Sequence, residues 1–147
     1  MGVARQYCGQ LGKQDNCQVA VSLSLATEQG SVPIEFQLYL PEKWAKNQRR
    51  RKKAGVPREV KFLTKPEIAL RQIRAAKAAG VVVGIVLADA AYGKETAWRE
   101  GLSEIELEYC VGVQSSTTVW EPGTRPLPPK SQKRMGRPPT RWRMCSS

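Results

Sequence analysis

Residues 81–93 read VVVGIVLADAAYG. Through Ala88 the stretch is rich in β-branched residues and apolar on both faces of an extended chain. That is the pattern of a central strand covered on both sides. The run then meets a lone carboxylate, Asp89, followed by two alanines, a tyrosine and a glycine. Asp89 has two readings. It starts a turn, its side chain bonded to nearby backbone N–H groups. Or it belongs to a metal-binding set, because ligand groups collect beyond the carboxyl ends of strands in α/β sheets, where two divalent ions can clamp a phosphodiester.

Working outward, residues 64–80 (TKPEIALRQIRAAKAAG) carry the signals of a helix. Thr64 and Glu67 have capping-box spacing, Pro66 is tolerated in the first turn, and Gly80 closes the end. Ala69, Ile73 and Ala76 make a narrow apolar stripe, with Arg71 and Arg74 pointing elsewhere. Further upstream, Val19, Val21, Leu23 and Leu25 alternate with small polar residues, and Ile34, Phe36, Leu38 and Leu40 repeat the period. The intervening TEQGS supplies a turn, so an antiparallel hairpin is expected over 17–41. Downstream, a short helix over about 94–103 and a strand over 107–113 complete the order strand, strand, helix, strand, helix, strand. The fold class is a mixed α/β layer in residues 1–120.

With 24 Lys and Arg against 13 Asp and Glu, the net charge of +11 points to a polyanionic partner. The absence of His excludes Ser–His and Cys–His catalysis and any His-containing zinc or haem site. Cys8, Cys17, Cys110 and Cys145 lack C-x-x-C spacing. No apolar run approaches membrane length and no signal peptide is evident, so a soluble cytoplasmic protein with reduced thiols is expected. The YGKET stretch at 92–96 fails as a phosphate loop, because Ala88 and Glu95 stand where that motif needs Gly and Ser or Thr.

The positive charge gathers in two places. Residues 43–61 hold nine basic residues and one acid, with Arg49, Arg50, Arg51, Lys52 and Lys53 consecutive. This segment reads as a solvated loop or as a phosphate contact. Residues 121–147 are expected to form a flexible basic Pro-rich tail, with six of the ten prolines before position 144. Within it, Lys133, Arg134, Arg137 and Arg141 flank Gly136 and Pro138. The segment is either a plain linker or an extended strip suited to a narrow A·T minor groove.

Taken in order, VARQYCGQLGKQDNCQVAVSLSLA, LYLPEKWA, RRRKKAGVP, FLTKPEIAL and VLADAAYG resemble the core of a DDE transposase from bacterial insertion sequences. The likeness runs from Val3 to about Trp120, and GRPPTR in the tail has counterparts in that family. The resemblance implies an RNase H-like fold in which two aspartates and a glutamate bind Mg²⁺ (or Mn²⁺) to cleave and rejoin DNA. It matches Asp89 to the second aspartate, a catalytic metal ligand. The first aspartate belongs on a strand before GVARQYCGQ and the glutamate on a helix after the Pro-rich stretch, and neither has a match here; Asp15 does not fill the place. What is expected is therefore a transposase fragment with an incomplete RNase H-like mixed sheet, inactive alone and without a stably held metal. The alternative is a basic, non-catalytic DNA-binding module. A ribosome-associated protein fits the charge but not the five ordered motifs.

Overall fold

The computed structural model describes residues 1–81 and 84–117, which form a mixed α/β structure with three separate two-stranded sheets. β1 (Ala4–Cys8) pairs antiparallel with β2 (Lys13–Cys17), and β3 (Ala20–Thr27) pairs antiparallel with β4 (Gly30–Leu38). β5 (Val86–Ala88) runs parallel to β6 (Tyr109–Val111). The helices are α1 (Glu42–Ala45), α2 (Gln48–Lys53), α3 (Lys65–Ala78), α4 (Ala90–Gly93) and α5 (Thr96–Ser103). None of these is long and apolar enough to cross a membrane.

The expected elements form, with four additions. The β1–β2 ribbon escaped the sequence reading because its alternating positions are filled by Gln, Asp and Asn rather than by large apolar residues. The segment 43–61, which reads as a solvated loop or a phosphate contact, is not a plain loop: it folds into most of α1 and all of α2. The short α4 was not anticipated either.

The expected hairpin of β3 and β4 forms, in a register that the period of each strand does not give. Val21 lies opposite Gln37 and Leu23 opposite Glu35, whereas Ser22 faces Phe36 and Ala20 faces Leu38. Directly opposed residues share a face, so the two apolar rows lie on opposite sides of the ribbon. Val21 is buried beneath α3, while Phe36 is 64% exposed. Between Leu23 and Ser24 the register shifts and Ile34 is left unopposed, a bulge that also accommodates Pro33.

Helix α3 starts with the expected capping box. The Thr64 N–H donates to Glu67 Oε2 at 2.7 Å, and Glu67 N–H donates back to Thr64 Oγ1 at 3.4 Å. Its buried face is wider than the stripe read from sequence, with Ile68 and Gln72 fully covered beside Ile73 and Ala76. Gln72 Nε2 donates to Val21 O at 3.2 Å and ties the helix to β3. Ile73 joins Trp98 and Leu102 of α5 and Leu107 in the main core, with Leu23, Val86 and Val111 packed around them. Burial of each large member contributes about 1.5–3 kcal/mol. A smaller cluster of Leu40, Trp44 and Val56 anchors α1.

The strand expected to be covered on both faces is not. β5 spans three residues; Leu87 within it is 72% exposed and Ile85 just before it 60%. Val82 and Val83, the start of the expected strand, lie outside the described residues. Helices α3 and α5 supply one covering layer, and the described residues supply no second. Nor does the hairpin hydrogen-bond to β5, so the expected continuous sheet is split in two.

Replacing Thr64 by Ala is expected to lower stability by about 1 kcal/mol, the usual cost of an N-cap, read from urea denaturation. The Thr64 backbone N–H and then its hydroxyl hold the Glu67 carboxyl below its ordinary value. Its stabilising contribution is thus present above the unfolded carboxylate pKa and lost as pH falls through the lower folded value. The Thr64→Ala chain should show a shallower acid limb than the parent.

Candidate functional site

At the end of β5 the chain turns sharply into α4, and Asp89 is the N-cap of that turn. Its Oδ1 accepts from Ala91 N–H at 2.8 Å. The residues after it have packing reasons. Tyr92 lies half-buried with its ring 5.7 Å from that of Trp98. Burial pushes its phenol pKa up, and the nearby Asp89 carboxylate adds to the effect. At Gly93 a Cβ would collide with the carbonyl oxygen of Gly112, so only glycine lets α4 sit against β6. Gly112 N–H in turn donates to Ala88 O at 3.0 Å, which closes the strand end beneath Asp89. Asp89 is exposed at this carboxyl end, where ligand groups of α/β sheets collect.

A hard divalent ion needs several oxygen ligands in near-octahedral array. Among the described residues no group of three or more Asp, Glu, Cys or His is placed to hold one. Asp89 already spends one oxygen on its cap, and Asp15 on β2 is engaged by Lys13 at 3.5 Å and by Asn16 N–H. This donor set does not fit a stably bound Mg²⁺ or Mn²⁺.

The consecutive basic residues separate into distinct roles. Asn47 caps α2, its Oδ1 accepting from Arg50 N–H at 2.9 Å. The Arg50 guanidinium lies 3.9 Å over the Trp44 ring, a cation–π contact. Arg51 is half-buried, and its guanidinium donates to three backbone carbonyls, of Ala45 (3.4 Å), Pro57 (2.8 Å) and Val60 (2.6 Å). It clips the loop after α2 back onto α1. Arg49, Lys52 and Lys53 remain exposed on the helix. An open cavity of about 830 Å³ beside them is lined by Lys46, Arg51, Lys52 and Arg58 and by no acidic side chain. Sequence reasoning passed over Lys46 and Arg58, which stand apart from the basic run. It also missed the clip, because carbonyl acceptors leave no trace in composition. Lys133, Arg134, Arg137 and Arg141 lie outside the described residues.

Comparison with known proteins gives the family. Residues 1–145 match the family model of the DDE superfamily endonucleases. The chain belongs to this family. Over 118 residues it is 36% identical to a protein of Microchaete diplosiphon described as a probable transposase for insertion sequence element IS701. The match covers 80% of this chain and 28% of that relative's length. No solved structure matches the chain.

Arg51→Ala is expected to destabilise the fold by about 1.5–3 kcal/mol, because three carbonyls lose a charged donor. Arg49→Ala, Lys52→Ala and Lys53→Ala should each stay within about 0.5 kcal/mol, as exposed substitutions do. Urea midpoints of the four variants decide it.

Proposed function

We propose that the chain is part of a transposase of the DDE type, with residues 1–120 a partial RNase H-like core and 121–147 a basic appendage. It acts on DNA, and in the cytoplasm. Asp89 is its single metal-ligating carboxylate for strand cleavage, the position matched to the second aspartate of the DDE set. The observation that carries this reading is the family match across residues 1–145, with Asp89 exposed at the carboxyl end of a parallel strand. The whole family enzyme would use Mg²⁺ or Mn²⁺. This donor set offers one carboxylate, so the chain by itself does not cleave DNA.

What the chain retains is a grip on DNA. Arg49, Lys52 and Lys53 contact phosphates from the exposed face of α2, with Lys46 and Arg58 adding charge around the adjacent cavity. Arg50 helps by holding its guanidinium on Trp44, and Arg51 by fixing the loop that carries Arg58. Lys133, Arg134, Arg137 and Arg141 extend the contact, with Arg137 entering an A·T-rich minor groove. This non-catalytic DNA-binding role is favoured by the acid-free lining of the cavity.

With Mg²⁺ or Mn²⁺ and duplex DNA carrying insertion-sequence ends, the purified chain is expected to yield no more nicked product than buffer. Cleavage that vanishes in Asp89→Ala would overturn the proposed inactivity.

DNA affinity should fall about a thousandfold or more between roughly 50 and 200 mM salt if six cations reach phosphates. Joint replacement of Arg49, Lys52 and Lys53 by Gln should lower affinity alike for A·T-rich and G·C-rich duplexes. Deleting 121–147 should erase a preference for A·T-rich duplex. Fluorescence anisotropy measures both, and a flat salt dependence would sink the binding reading.

A further inference from the structure

The cavity beside α2 has built walls. The helix ends in a glycine closure: Gly55 takes a φ of 65°, its N–H donates to Lys52 O at 3.2 Å, and Val56 N–H donates to Arg51 O at 3.0 Å. This pair of bonds turns the chain sharply back on the helix it leaves. Val56 is thereby buried with Leu40 and Trp44, and the Arg51 clip holds the carbonyls of Pro57 and Val60. The cavity of about 830 Å³ is lined from both of these fixed segments.

Its lining is of two kinds. Ala45, Val56 and Pro57 supply an apolar part, and Lys46, Gln48, Lys52 and Arg58 a polar one. Lys46 is paired with Glu42 at 2.7 Å, and the Arg51 guanidinium is engaged with carbonyls. Lys52 and Arg58 have no ion-pair partner among the described residues. Two such cations beside an amide and an apolar wall suit a ligand with the same division: anionic groups at its edge, and a flat body that carries donors and acceptors.

We infer that this cavity takes one unpaired nucleotide of a DNA strand, with its base against Val56 and Pro57, the Gln48 amide at the base edge, and its flanking phosphates on Lys52 and Arg58. Pockets for small ligands hold roughly 300–1,000 Å³, a range that admits a nucleotide and far exceeds a single phosphate group. A duplex cannot enter, because its bases are paired and stacked inside it; the exposed Arg49 and Lys53 of α2 lie outside the lining and serve duplex phosphates. Single-strand sites combine cations along the backbone with a surface that meets an unstacked base. Here an aliphatic wall stands where an aromatic platform is usual. The phosphate contacts position the strand, and the contacts to the base supply the selectivity. The inference deepens the DNA-binding reading and rests on it.

The test is fluorescence anisotropy of the intact 147-residue chain with two DNA duplexes matched in total nucleotides, one blunt and one ending in a short single-stranded overhang, at one salt concentration. The overhang duplex is expected to bind about tenfold more tightly. Gln48→Glu, which puts an acid into the cavity, and Arg58→Gln should each bring the two affinities together. Arg49→Gln should lower both and keep their ratio; far-UV circular dichroism checks that each variant keeps its fold. Deoxythymidine monophosphate in millimolar excess should remove the overhang advantage, and inorganic phosphate at the same ionic strength should not. Equal binding of the two duplexes by the parent chain overturns the inference and leaves the DNA-binding reading standing, whereas binding of neither overturns both. The inference also fails if Gln48→Glu keeps the ratio, or if inorganic phosphate or an acidic peptide removes the advantage as well as the nucleotide does.

Discussion

Helix α3 packs against two strand pairs that do not touch each other through hydrogen bonds, and the arrangement of the rest follows from that contact. Its Ile73 reaches into the core formed with Trp98, Leu102 and Leu107, while the Gln72 amide bonds the main chain of Val21 in the hairpin. Gln72 is almost fully buried, and its carbonyl oxygen has no partner. A polar side chain in that position ties helix to strand through one directional bond where apolar packing alone would allow sliding. The capping box at Thr64 sets where the helix begins, and so which of its residues meet the two halves. Close approach of α5 follows too, since Gly101 is packed against Leu70 of α3.

The turn after β5 shows how local structure positions the candidate carboxylate. Asp89 caps α4 with one oxygen, and that bond fixes its position at the carboxyl end of the strand. Tyr92 and Gly93 hold the turn against Trp98 and β6, which gives the aspartate a rigid base. The two readings of Asp89 were posed as rivals. The geometry shows the first of them, the Oδ1 cap bond to the Ala91 N–H. The basic segment divides in a similar way. Arg50 and Arg51 spend their guanidinium groups on an indole and on carbonyls, which orders the surface from which Arg49 and Lys52 project.

Local signals were legible where the physics is local. The Thr64–Glu67 spacing, Pro66 and Gly80 bracket α3 because caps act within one turn. The period of β3 and β4 was readable because alternation is a property of each strand alone. The family likeness was readable as well, since five motifs in order carry it, with Asp89 in the last. The charge of the 43–61 segment was plain, and the role of each cation in it was not, because that depends on which acceptor folds back upon it.

Sequence by itself thus determined the strand periods, the bounds of α3, the family and the candidate carboxylate. Tertiary structure alone decided which face of each strand is covered. Val21 and Phe36 both sit in correct alternating phase, yet a bulge and a two-residue turn set the register that puts them on opposite sides of the ribbon. The same holds for Leu87. Its apolar neighbours signal a strand meant for burial on both faces, while burial itself requires a second layer. Cross-strand register and layer coverage are relations between distant segments, and no window along a single strand contains them.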